Sequence, residues 1–215
     1  MYRIGYIDDE PSQYENYARK ISRYCSDMEL ILFEYCQKKE DFVEKIYEVQ
    51  ADVLLIDYKM TGRYGFNGTT LINYINDRVR DLECFILTAV EQDRITDGLV
   101  SGRNRRSKDI LDTEGGDSER IQRLIEFGNE LKESAEVFRN RREQKKIQYQ
   151  ELLEKKKKGE LSPDEEDDFI NLYKVLASYG MIEELPVSML KSDFEQALDD
   201  MLEVGDAILK KYSGE

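Results

Sequence analysis

The 215 residues carry 46 acidic against 32 basic side chains, a net charge of −14, and no histidine. That charge disfavours direct DNA or RNA binding, which needs clustered Lys and Arg against phosphates. The missing histidine removes His-based triads and argues against a zinc site. The three cysteines, Cys25, Cys36 and Cys84, form no CxxC pair and suggest free thiols in a reducing cytoplasm.

Short apolar runs alternate with amphipathic segments over the first half of the chain. Tyr2–Ile7 reads as a strand ending in acids. Gln13–Cys25 carries Tyr14, Tyr17, Ala18, Ile21 and Tyr24 at helical steps of three and four. Leu30–Tyr35 reads as a second strand, and Lys39–Val49 as a helix with Phe42, Val43, Ile46 and Val49 on one face. Asp52–Ile56 is almost continuously apolar, as a strand buried on both faces should be. Thr69–Val79 is helical through Leu71, Ile72, Ile75 and Val79, and Cys84–Leu87 is another buried strand. A fifth strand is expected within Leu99–Ser107. Strand and helix alternating in this way predict βαβ units, hence a doubly wound parallel α/β sheet with helices on both faces.

From residue 114 onward there is no strand signal, so residues 1–113 and 114–215 are predicted to be an α/β domain and a helical region. Ile121, Leu124, Gly128, Leu131, Ala135, Phe138, Arg142, Lys145, Tyr149 and Leu152 make a heptad seam, which predicts a long coiled-coil arm. Lys155–Lys158 followed by Gly159 suits a helix C-terminus. Ser162, Pro163 and Glu165 restart a helix with a capping box, running through Phe169, Ile170, Tyr173, Leu176 and Ala177 towards Gly180. After Pro186, Ser192 and Glu195 open a last predicted helix through Phe194, Leu198, Met201, Leu202 and Ile208. No apolar run approaches the ~18 residues of a membrane span, so a soluble, cytoplasmic protein is expected.

In doubly wound sheets, ligands bind beyond the C-terminal ends of the strands. Those ends here are Asp8-Asp9-Glu10-Pro11, Asp57, Thr88-Ala89 and, past the fifth strand, Lys108. Three acids gathered with a hydroxyl and an ammonium would repel one another without a hard cation such as Mg²⁺. Metal and Lys108 together suit the charge that develops on a transferred phosphoryl group.

The Asp8–Pro11 turn, the strand Val53–Ile56 running into Asp57, the Leu87-Thr88-Ala89 strand end and Lys108, in this order and spacing, resemble the receiver domain of two-component response regulators. The resemblance covers about residues 1–112. It implies a flavodoxin-like sheet of order 2-1-3-4-5 with Asp57 as phosphoacceptor. It makes Asp9 and Asp57 direct Mg²⁺ ligands and Asp8 a ligand through water. The Met60 carbonyl completes the set, Thr88 is the switch hydroxyl, and Lys108 is the phosphoryl-binding lysine. It implies a phosphoacceptor with at most autophosphatase activity, rather than an enzyme. Its expected partners are a histidine kinase or phosphotransfer protein and a downstream protein reached through the helical region, with room for a homodimer. The layout is also similar to regulators accompanying stress or phage-defence operons, where a phosphorylation-independent scaffold is the alternative. Four features depart from the family: Thr61 replaces the proline after Met60, the Thr61–Gly68 loop is longer, Asp109 rather than proline follows Lys108, and Arg105 stands where the switch aromatic would be. Aspartyl-nucleophile phosphohydrolases, a third class, carry a second acid shortly after the nucleophile, and Met60 is not one.

Overall fold

The computed structural model describes residues 1–89, 95, 97–113 and 117–182. The predicted last helix, with Phe194, Leu198, Met201, Leu202, Ile208 and its Ser192–Glu195 cap, lies outside the described residues. The chain divides into two compact units, Met1–Glu143 and Gln144–Glu215.

The first unit is built on five strands: β1 (Tyr2–Ile7), β2 (Met28–Leu32), β3 (Val53–Asp57), β4 (Glu83–Thr88) and β5 (Arg105–Ser107). All pair in parallel in the order β2-β1-β3-β4-β5. The helices of this unit are α1 (Tyr14–Tyr24), α2 (Lys39–Val49), the short α3 (Thr61–Tyr64), α4 (Gly68–Asn76) and the start of α5 (Ser118–Lys157). Every residue of β3 is buried, the outcome its apolar run requires of a central strand covered on both sides.

Side chains alternate across a strand, so each strand feeds two cores. Ile4 and Tyr6 of β1, Val53 and Leu55 of β3, and Phe85 and Leu87 of β4 join one core with Tyr17 and Ile21 of α1. Leu124, Phe127, Leu131 and Ala135 of α5 complete that core. The first half of the heptad seam is therefore covered by the sheet and α1. Phe127 meets Phe85 edge to face at 5.8 Å. Gly128 lets α5 approach α1, since a Cβ there would lie 2.4 Å from Cys25 Sγ. At the N-terminal edge of the sheet, Arg139 of α5 grips buried Asp52 with Nε at 2.7 Å and Nη2 at 2.6 Å. The Arg3 amide donates to the same carboxylate at 2.8 Å. Such a charge is tolerable inside only because it is paired and hydrogen-bonded.

Several boundaries differ from the sequence expectation; α4, for one, ends at Asn76 rather than at Val79. β2 starts at Met28 because the Tyr2 amide bonds the Asp27 carbonyl and pairing begins at Tyr2↔Met28. β5 shrinks to Arg105–Ser107, preceded by a 3-10 turn over Gly102–Asn104.

In the second unit, α6 (Pro163–Ser178) packs on the end of α5. Phe169, Ile170 and Tyr173 form a core with Tyr149, Leu152 and Leu153, and Tyr149 stacks on Phe169 at 4.9 Å. Tyr149 and Leu152, the last seam residues, thus find their partner within this chain. Gly159, at φ 71°, turns the chain after α5. The capping box is formed: the Glu165 amide donates to Ser162 Oγ at 3.3 Å, and the Ser162 amide to Glu165 Oε2 at 3.1 Å.

Candidate functional site

The parallel sheet sends the C-terminal ends of its strands to one edge, and the acids lie there. Asp8 follows β1, Asp57 ends β3, Thr88 ends β4, and Lys108 follows β5. The register pairs Ile7 with Ile56 and Thr88 with Ser107, so these ends are level. Asp8 and Asp57 are buried, and Asp9 is half-buried. One carboxylate oxygen from each of Asp8, Asp9 and Asp57 lies within 4.8 Å of the others. Lys108 bridges two of them, with Nζ 2.8 Å from Asp8 Oδ2 and 2.8 Å from Asp57 Oδ1.

The electrostatics follow from this crowding. Burial pushes the Asp57 carboxyl up. Lys108 offsets part of that, and the charges of Asp8 and Asp9 add to it. Asp9 is raised by burial and by Asp8. Burial also works against an ionised Asp8, but hydrogen bonds from Lys108, Tyr6 and the Glu10 amide outweigh it and hold this carboxyl below its ordinary value. Burial opposes the Lys108 ammonium, yet Asp57 and Asp8 keep it charged. Three carboxylates against one ammonium leave an excess of negative charge, and the cluster can hold a metal ion through oxygen ligands.

The structure thus brings Asp8, Asp9, Asp57 and Lys108 together. Thr88 is buried at the end of the neighbouring strand. Met60 lies three residues past Asp57, and its carbonyl accepts the Tyr64 amide at 2.9 Å, the bond that opens α3. A metal at that carbonyl would share it with Tyr64. The longer Thr61–Gly68 loop forms α3 and lies against the pocket: Arg63 Nη1 donates to the Asp9 carbonyl at 3.5 Å.

Two residues escaped the sequence reading. Tyr6 is fully buried beneath the pocket and donates its hydroxyl to Asp8 Oδ2 at 2.5 Å. Its position two residues before Asp8, on the same face of the strand, was the available signal. Gly68 packs on the backbone of Asp57, where a Cβ would fall 2.0 Å from the carbonyl oxygen. No sequence signal separated it from any other loop glycine.

Arg105 occupies the place of the expected aromatic and ties down main chain. Its Nη1 donates to the Ile95 carbonyl at 2.7 Å, and its Nη2 to the Val100 carbonyl at 2.6 Å.

No protein-family model and no curated protein matches this chain. The sheet order and the acidic cluster are compatible with a receiver domain. Among the described residues, no helix is long and apolar enough to cross a membrane.

Proposed function

We propose that the first unit is a phosphoacceptor receiver domain that takes a phosphoryl group on Asp57 and relays its state through the helical region to a protein partner. The observation that carries this reading is Lys108 Nζ held 2.8 Å from both Asp57 and Asp8, beside a third carboxylate at the C-terminal edge of the sheet. An ammonium and a ring of acids suit a group whose oxygens gain negative charge as it transfers.

Asp9 and Asp57 would hold Mg²⁺ directly, with Asp8 behind them. When bound, the ion neutralises the carboxylates and stabilises charge on the phosphoryl oxygens. Lys108 binds Asp57 Oδ1, leaving Oδ2 to attack phosphorus. The new bond is Oδ2–P, and the P–N bond of a phosphohistidine donor breaks. The donor imidazole leaves with the electron pair and takes up a proton from solvent water. Lys108 stays charged and follows the phosphoryl oxygens, and Thr88 supplies a hydroxyl from the adjacent strand end. The cognate donor is a histidine kinase or phosphotransfer protein. The output is a protein contact made through the helical region, in keeping with a chain of net charge −14.

The alternative, a scaffold that works without phosphorylation, draws its support from Arg105. A guanidinium bonded to two carbonyls replaces the aromatic that would swing with Thr88. One experiment separates the readings: incubation of the full chain with acetyl phosphate and Mg²⁺, followed by intact mass measurement. The receiver reading expects a gain of one phosphoryl group in wild type and none in Asp57→Asn. No gain in wild type supports the scaffold, and an equal gain in Asp57→Asn overturns Asp57 as the acceptor.

A further inference from the structure

We infer that Tyr6 is a positioning residue that sets the metal selectivity of the pocket by holding Asp8 away from direct coordination; this rests on the metal-assisted reading above. The Asp8 carboxylate is already held at three points. Its Oδ1 accepts the Glu10 amide at 2.9 Å, and its Oδ2 accepts Tyr6 Oη at 2.5 Å and Lys108 Nζ at 2.8 Å. Each donor occupies lone-pair capacity that a cation would otherwise use. Lys108 can leave, because its side chain is partly exposed and it also serves Asp57. Tyr6 cannot. Its ring is 1% exposed, stacked on Tyr14 at 6.2 Å and set edge-on to Tyr17 at 6.1 Å.

The consequence concerns ligand count. With Oδ2 taken by Tyr6 and Lys108 and Oδ1 shared with the Glu10 amide, Asp8 has one lone pair left for a cation, so Asp9 and Asp57 are the carboxylates best placed to touch it, and water must fill most of its shell. Mg²⁺ keeps several waters and tolerates such a site, whereas Ca²⁺ seeks six to eight oxygen ligands and gains from every added carboxylate. Tyr6 therefore favours Mg²⁺ over Ca²⁺ without touching either ion, as a partner in the outer shell of a metal site does.

The test is calorimetric titration of the full chain with Mg²⁺ and, separately, Ca²⁺, in wild type, Tyr6→Phe and Tyr14→Phe, with circular dichroism to confirm folding. Tyr14 is the control: its ring stacks on Tyr6, but its hydroxyl bonds the Leu30 carbonyl at 3.0 Å, on another strand. Releasing Asp8 in Tyr6→Phe should raise Ca²⁺ affinity relative to Mg²⁺ by about tenfold, the lower end of outer-shell effects. Tyr14→Phe should keep the wild-type ratio. A Tyr6→Phe protein that folds and binds both ions in the wild-type ratio overturns the inference. A wild type that binds neither ion overturns the metal reading itself, and the Tyr6 role with it.

Discussion

Gly68→Ala should destabilise the first unit by about 3 kcal/mol and remove phosphoryl uptake from the molecules that still fold. The added methyl would sit 2.0 Å from the Asp57 carbonyl oxygen and 3.0 Å from its carbonyl carbon. Both are main-chain atoms, so no rotamer change can clear the space. Gly68 also donates its amide to the Tyr58 carbonyl at 2.9 Å, which fixes the loop that returns beside Asp57. Relief must come from displacing either the start of α4 or the end of β3, and the second carries the nucleophile out of place. Gly62→Ala is the matched control, because a Cβ there meets only Asp9 Oδ2, at an ordinary 3.5 Å. Chemical denaturation and acetyl phosphate labelling of the two variants give the comparison. Wild-type stability and labelling in Gly68→Ala would show that the close approach is not a constraint.

Lys108→Ala should cost about 3 kcal/mol at neutral pH, the lower end for breaking a buried ion pair, since the lysine side chain is 22% exposed. Asp8 and Asp57 would then face each other with no cation between them. The pH dependence has a definite sign. Burial already raises the Asp57 carboxyl in the folded state, with Lys108 as the main offset. Removing Lys108 raises it further, so the folded state resists ionisation at this site. That penalty is complete above the folded-state value and vanishes below the unfolded one, where the group is protonated in both states. Asp8 moves in concert. Its carboxyl lies below the ordinary value partly through Lys108, and a lowered carboxyl stabilises the fold above the unfolded value and ceases to as pH falls through the folded one. The gap between variant and wild type should therefore be widest near neutrality and close on acidification. Mg²⁺ should narrow it, because binding to the folded state alone stabilises by mass action. Equal stabilities near neutrality would contradict the role given to Lys108.

Much of the site was legible because strand ends can be read from hydrophobic runs. An apolar stretch breaking into acids, as at Ile7-Asp8-Asp9 and Ile56-Asp57, fixes both a strand and what it carries. β5 was harder, since Arg105 and Arg106 give no apolar signal. An edge strand needs little burial, and these arginines use polar heads and flat faces instead. Arg105 bonds two carbonyls, while the Arg106 guanidinium lies 5.7 Å from the Phe85 ring and 5.8 Å from that of Phe127 and pairs with Glu130. The α5 stripe illustrates a different limit. Steps of three and four mark a buried helical face without saying whether a helix or a sheet covers it. Phe127 lies off the heptad and belongs to the sheet-facing core, which a strict seam leaves out. Tyr6 was hidden for a third reason. A tyrosine in a buried strand reads as core, and only the pocket geometry gives its hydroxyl a carboxylate to serve.

The receiver reading is tested most directly by locating the phosphoryl group. After labelling with acetyl phosphate and Mg²⁺, borohydride reduces an aspartyl phosphate to homoserine, which peptide mass mapping places in the sequence. The account predicts homoserine at position 57, in wild type and not in Asp57→Asn. An unlabelled chain, or homoserine at any other aspartate, would contradict it.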